Sequence, residues 1–184
     1  MLFNAISTDG GSLAGLIIPI LLLLVTGQRL LELVIARRNT RQLLADGGYE
    51  IGRAHYPLIV VLHSCWLAAL WVVWLTGAAV LMPVPLIGYL LVQPLRIWVM
   101  SSLGRFWTTR IIVVPAAPLV RRGPYRFLSH PNYLVVVLEI ALLPLALGTW
   151  QLAVLFSLAN AGILWIRLTV EAASLRQRPA ASHS

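Results

Sequence analysis

A dense group of polar and aromatic residues stands directly before a long apolar run. The group comprises Gly123, Pro124, Tyr125, Arg126, His130, Pro131, Asn132 and Tyr133. Polar groups are costly to bury in lipid, so such a cluster at the start of a membrane helix indicates a site that uses them. Pro131 suits a first helical turn, whose free N–H groups and positive dipole end favour a carboxylate, while the Tyr rings suit a cation. The alternative role is anchoring at the lipid headgroups.

A polar stripe runs along the last apolar segment. Asn160, Arg167 and Glu171 are spaced seven and four residues apart and therefore share one helix face. A stripe of this kind is expected to face the protein interior or a wet cavity, where Arg167 and Glu171 would act in binding or chemistry. The alternative is a plain ion pair at the end of the helix.

Two further ionisable residues lie within apolar segments. Glu139 shares a face with Asn132, about two turns into its helix, and could serve as a general base or pair with Arg96 or Arg167. His63 lies within the second apolar run, where it either hydrogen-bonds a neighbour or takes part in chemistry. Both alternatives stay open for each residue.

The composition is that of a polytopic membrane protein. The chain is 59% hydrophobic and only 11% charged, with a mean hydropathy of +0.85. The net charge of +8 comes with no basic stripe interleaved with aromatics, so we expect no nucleic-acid partner. One cysteine, Cys65, permits no internal disulfide, and no His/Cys cluster has metal-ligand spacing.

Five apolar runs predict an all-α integral membrane fold with about five transmembrane helices. The runs cover residues 13–35, 56–76, 78–100, 131–147 and 150–170, and prolines interrupt the third. Arginines cluster in residues 37–53, 105–126 and 167–178, which five alternating spans place on one side. The positive-inside rule then predicts that the amino terminus lies outside and the carboxyl terminus in the cytoplasm.

The sequence also predicts where the charged residues near helix ends lie and what structure the longer connections adopt. We expect Arg29 and Arg96 to snorkel toward the interface, and Glu32 to belong to a polar end of the first helix. Residues 39–52 are expected to form an interfacial helix followed by a turn. The β-branched stretch 111–114 is too short to span and should be extended.

The motifs Gly123-Pro124-Tyr125-Arg126 and His130-Pro131-Asn132-Tyr133, followed by Arg167 and Glu171, resemble those of the isoprenylcysteine carboxyl methyltransferase family. The resemblance implies an integral-membrane methyltransferase that uses S-adenosylmethionine. It implies a cytoplasmic cofactor pocket formed by the loop before helix 4 and the end of helix 5, within a catalytic half at 101–178 of a single domain, 1–184. The cofactor-binding residues would be those of the two motifs with Glu171, and the catalytic residues Glu139 and Arg167.

Three earlier segments resemble a bacterial branch of this family, which implies location in the bacterial inner membrane. They are Arg37-Arg38-Asn39, His55-Tyr56-Pro57 and Thr108-Thr109-Arg110-Ile111-Ile112. That branch is similar to O-methyltransferases for alkylresorcinols and alkylpyrones, which implies a lipophilic acceptor and a functional link to a type III polyketide synthase. Ser129 and Ala172 replace the Arg and second Glu that the family commonly has, which favours a small lipid over a prenylated protein. The alternatives are an NADPH-dependent sterol or enone reductase, whose signature also matches Asn132, and a non-catalytic membrane scaffold.

Overall fold

Five α-helices form the body of the protein. The structure, a computed structural model, describes residues 13–115, 117 and 120–176, with side chains from residue 15 to residue 171. The helices are α1 (Leu13–Ala45), α2 (Tyr56–Leu75), α3 (Pro83–Leu103), α4 (Pro131–Ala146) and α5 (Trp150–Arg176). Four of them are long and apolar enough to cross a membrane, and α4 is a shorter apolar helix. This confirms the all-α membrane fold.

The first helix is longer than the sequence indicated. α1 has 33 residues and would be about 50 Å long, so its last turns extend beyond a hydrocarbon core of about 30 Å. The interfacial helix expected at 39–52 is not a separate element, because α1 continues through this segment to Ala45; the expected turn follows at residues 46–47. Asn39 explains the continuation: its amide donates to the carbonyls of Trp107 at 2.8 Å and Gly104 at 3.2 Å.

A two-stranded sheet closes one end of the helix bundle. Strand β1 (Tyr49–Ile51) pairs antiparallel with β2 (Ile111–Val113), with Glu50 opposite Ile112. The predicted extended segment at 111–114 is thus confirmed for its strand residues. We call this end of the molecule the sheet end; the carboxyl ends of α1, α3 and α5 and the amino ends of α2 and α4 lie there.

The third helix begins later than expected. Residues 78–82 are outside α3, and the backbone N–H groups of Val80 and Met82 donate to the carbonyls of Leu147 and Ala146. Pro83 then occupies the first helical position, where its missing N–H costs little. The prolines shorten this span at its start but do not divide it.

Packing leaves the outer faces apolar. α4 packs between α3 and α5, and α2 packs against α5 and α1. The central buried cluster includes Leu22, Trp66, Leu70 and Leu143. Large apolar side chains also remain exposed around the bundle, which is the surface expected of helices that contact lipid.

Candidate active site

The first motif forms a tight turn against α3. Residues Gly123–Arg126 make one turn of 3₁₀ helix, and Gly123 has a φ of +57°. A Cβ at this position would lie 2.0 Å from Ser102 Oγ and 3.0 Å from Trp98 Nε1. Arg122 Nε donates to the Ser102 carbonyl at 2.7 Å. Only glycine satisfies both the backbone conformation and the close approach to α3.

We expect Gly123→Ala to destabilise the protein and to displace the motif. Gly77→Ala is the matched control, since Gly77 has a φ of +72° but nothing within 4 Å of its Cβ position. The control should lose about 1–2 kcal/mol from left-handed strain alone. Gly123→Ala should lose more, because the clash with Ser102 adds to the strain. Thermal unfolding in detergent measures both; equal losses would show that the close approach does not matter.

Tyr125 connects this turn to the bundle. It packs against a buried cluster that contains Val92, Val99 and Val135. Burial raises the pKa of the Tyr125 phenol well above its usual range, and the nearby Tyr133 and Glu171 raise it further. Tyr125 therefore stays a neutral, protonated hydroxyl at any physiological pH.

The second motif begins α4 and brings two rings together. Pro131 is the first residue of the helix and is buried. The His130 ring stacks on that of Tyr133, with 5.1 Å between centroids and an interplanar angle of 6°. His130 Nδ1 lies 3.9 Å from Glu171 Oε2. The start of α4 and the end of α5 thus meet at the sheet end.

Tyr133 is the centre of a hydrogen-bond network. Its hydroxyl donates to Glu171 Oε2 at 2.7 Å and accepts from Arg167 Nε at 2.9 Å. Arg167 Nη1 also donates to the carbonyl of Thr109 at 2.8 Å, just before β2. Tyr56 adds a hydroxyl contact to Thr109 Oγ1 at 3.3 Å. Residues that are far apart in sequence are therefore held in one rigid group.

Arg126 stands apart from this group. Its guanidinium carbon lies 6.0 Å from the ring centroid of Phe127, and its side chain is exposed. No contact between Arg126 and His130 of the neighbouring motif is found in the described part of the chain. Arg126 is thus available at the surface of the sheet end, and its role in binding stays a prediction.

A cavity of about 240 Å³ opens beside the network. Its sheet end is lined by Tyr56, Trp107, Thr108, Thr109, Asn132, Tyr133 and Arg167. Its middle is apolar, with walls of Leu33, Ile59, Val60, Val136, Ile163 and Leu164. Its deep end is polar again, with Arg29, Glu32, His63, Arg96 and Asn160. A cavity with polar ends and an apolar middle suits an amphiphilic small molecule.

Arg29, Glu32, Arg96 and Glu139 form a buried ionic cluster at the deep end. Arg29 donates to Glu32 at 2.9 Å and to Glu139 at 2.8 Å, and Arg96 donates to the same two carboxylates. The prediction that Arg29 and Arg96 snorkel is wrong, because both are paired inside the bundle. Glu32 likewise lies inside the bundle and not at a helix end.

The ion pairs of this cluster limit the chemical role of Glu139. Glu139 is 1% exposed, bonded to two guanidinium groups, and absent from the described lining of the cavity. The pairing with Arg96 considered from the sequence is found, whereas Arg167 bonds elsewhere. A carboxylate held in this way is poorly placed to remove a proton from a bound molecule.

Trp107 and Thr109 were not identified from the sequence. They contribute through their positions beside β2: Thr109 by its carbonyl, and Trp107 by a buried indole N–H that lacks a partner among the described residues. Backbone carbonyls carry no sequence signal, so only the pairing of the strands could reveal Thr109. The Trp-Thr-Thr-Arg stretch before the β-branched segment is the only local hint.

Comparison with known proteins identifies the family. The family model of isoprenylcysteine carboxyl methyltransferases (ICMT) matches residues 84–177. This chain belongs to the ICMT family. It is also 35% identical over 171 residues to the uncharacterized protein YpbQ of Bacillus subtilis (strain 168), covering 86% of this chain and 96% of YpbQ. No solved structure matches it.

Membership in the ICMT family makes a membrane methyltransferase the class of function. The matched region contains both motifs and, from the network, Thr109, Tyr133, Arg167 and Glu171, but it begins after α1 and α2. Those two helices nevertheless supply much of the cavity lining, including Arg29, Tyr56 and His63. The family match thus covers most of the network, whereas the part of the cavity wall formed by α1 and α2 lies outside the match.

Proposed function

We propose that the protein transfers a methyl group from S-adenosylmethionine to an oxygen of a lipophilic small molecule. The observation that carries the proposal is the Tyr133 hydroxyl, bonded to both Arg167 and Glu171 at the mouth of an apolar cavity. The cofactor would supply an activated methyl group. The alkylresorcinol and alkylpyrone class stays our preferred acceptor.

The residues at the sheet end fit such a cofactor. The Glu171 side chain is 29% exposed and the His130 side chain 40%, so both can reach a bound molecule. Glu171 would hold an amine or ribose hydroxyl, and the start of α4 with Arg126 would hold a carboxylate. The unpaired indole N–H of Trp107 needs an acceptor, which a molecule in the cavity can provide.

The network also provides a route for the proton of a hydroxyl acceptor. Tyr133 Oη accepts one bond from Arg167 and has a second lone pair free for an acceptor hydroxyl. As that hydroxyl gives its proton to Tyr133 Oη, Tyr133 passes its own proton to Glu171 Oε2. Tyr133 is neutral before and after the step, and Glu171 becomes the carboxylic acid. Glu171 therefore replaces Glu139 as the base that we favour.

The test is calorimetric titration of the purified protein with S-adenosylhomocysteine, with NADPH in a parallel titration. We expect S-adenosylhomocysteine to bind and Glu171→Gln to weaken it about 10–100-fold, because a charge-assisted bond is lost. Asp46→Asn is the matched control, an acid-to-amide change at an exposed site of the same end. Binding of NADPH alone would favour a reductase, and binding of neither a scaffold.

The positions of the arginines support the orientation that we propose, with the sheet end and the carboxyl terminus in the cytoplasm. Arg37, Arg38 and Arg41 are exposed on the part of α1 that extends beyond the membrane, at the sheet end. The positive-inside rule places such residues in the cytoplasm, where the cofactor is made. A lipophilic acceptor would reach the cavity from the bilayer between the helices.

A further inference from the structure

The deep end of the cavity contains one polar layer shared by all five helices. Each of its members lies seven residues from a residue of the sheet end, about 10 Å along the helix axis. The members are Glu32, His63, Arg96, Glu139 and Asn160, with Asn39, Tyr56, Leu103, Asn132 and Arg167 as the corresponding residues of the sheet end. Polar groups are costly at this depth unless each has a partner.

The charged groups at the deep end pair with one another. Two guanidinium groups, of Arg29 and Arg96, face two carboxylates, of Glu32 and Glu139. The cluster is therefore neutral as it stands. A ligand group with a net charge would leave one charge unbalanced in a low-dielectric site, which is strongly unfavourable.

Two polar groups at the deep end lack partners within the part of the chain that the structure describes. Asn160 is 2% exposed and lines the cavity, and its amide has no hydrogen-bond partner in the described part of the protein. The Nε nitrogen of Arg29 is likewise buried and without a partner among the described residues. A buried amide that offers both a donor and an acceptor to a cavity indicates a missing ligand group.

His63 adds an acceptor on the facing helix. Its Nδ1 lies 2.8 Å from the carbonyl of Ile59, which accepts only from a protonated nitrogen. Nδ1 therefore carries the proton, and a neutral ring has its lone pair on Nε2. His63 and Asn160 lie at the same depth, because Tyr56 and Arg167, seven residues from each, both contact Thr109.

We propose that this layer binds a neutral hydroxyl of the acceptor, about 10 Å from the oxygen that is methylated. The hydroxyl would donate to His63 Nε2 and accept from the Asn160 amide, while the apolar middle of the cavity holds the carbon chain between the two oxygens. The inference rests on the proposed function and narrows it, since an acceptor of the alkylresorcinol or alkylpyrone class would then carry a further hydroxyl on its alkyl chain. It assigns His63 and Asn160 to acceptor specificity.

The experiment compares two eight-carbon probes in lipid nanodiscs without cofactor, 1-octanol and 1,8-octanediol. Binding is measured by calorimetry, with empty nanodiscs as the reference for partitioning. We expect the diol to bind about tenfold more tightly than 1-octanol, the net gain from a buried hydroxyl whose hydrogen bonds are satisfied. Equal affinity for diol and octanol would overturn the proposal.

Asn160→Leu should abolish the preference for the diol and leave 1-octanol affinity unchanged, because it removes the amide at similar volume. Gln151→Leu, at an exposed position on α5, is the matched control and should keep the preference. His63→Phe removes the other proposed partner of the hydroxyl, and it serves as the test if Asn160→Leu does not fold. A preference that survives both substitutions would contradict the inference. Diol selectivity without S-adenosylhomocysteine binding would contradict only the proposed function. S-adenosylhomocysteine binding without diol selectivity would contradict only this inference.

Discussion

Glu139→Gln is expected to destabilise the protein by about 3–5 kcal/mol, the cost of breaking a buried ion pair. The substitution removes the carboxylate that accepts from Arg29 Nη2 at 2.8 Å and from Arg96 Nη1. Two guanidinium groups would then share the single carboxylate of Glu32, at a site that is 1% exposed at Glu139 and 5% at Arg96. The free energy of unfolding in mixed detergent micelles measures the loss.

A double variant separates the charge imbalance from lost packing. Arg29→Met with Glu139→Gln removes one charge of each sign and leaves Arg96 bonded to Glu32 through Nε and Nη2. We expect the double variant to regain most of the stability that Glu139→Gln loses, since the remaining pair is neutral. Additive losses would contradict this account, because they would mean that the two residues stabilise the bundle independently.

The parts of the site that the sequence identified are local in the chain. Gly123, Pro131 and Tyr133 lie within one short stretch, and Arg167 and Glu171 are one helical turn apart. Their grouping follows from helix periodicity and from the known uses of Gly and Pro at turns. The structure brings the two groups together through the Tyr133 hydroxyl, which was not predicted.

The buried ionic cluster could not be derived in the same way. Its four charges lie in three different apolar runs, with Arg29 and Glu32 in the first, and the pairing between runs depends on how three helices are rotated relative to one another. Arg96 and Arg167 were equal candidates to pair with Glu139, and α4 packs against the helices of both. In the structure Glu139 bonds Arg96, whereas Arg167 bonds elsewhere. Periodicity specifies the face of a helix but not the neighbour that the face meets.

The end of α1 could not be predicted from the sequence for a different reason. Arg37, Arg38 and Asn39 indicate the end of an apolar run, yet a helix that leaves the membrane continues with the polar residues that a loop would have. The two strands are three residues each and about sixty positions apart, so only tertiary contact reveals their pairing. That pairing places Thr109 beside Arg167, which links α5 to the sheet.

The catalytic prediction with the largest effect concerns Arg167→Lys, which we expect to lower kcat about a hundredfold or more. Arg167 donates through Nε to Tyr133 Oη and through Nη1 to the Thr109 carbonyl, so one planar group fixes both. A lysine ammonium has no such fork and can keep only one of the two contacts well. Tyr133 would lose its alignment, and methyl transfer needs the acceptor oxygen held in line with the methyl group.

The matched control is Arg110→Lys, since Arg110 bonds both oxygens of Glu50 at 2.9 and 2.8 Å but does not belong to the described lining of the cavity. Both variants keep the charge, so a difference between them reports geometry and not electrostatics. With a lipophilic phenol as acceptor, Arg167→Lys should change kcat far more than the affinity for S-adenosylhomocysteine, because Glu171 and His130 remain in place. A kcat within about threefold of the control would show that Tyr133 needs no alignment by Arg167, and the proton route through Tyr133 to Glu171 would then have to be abandoned.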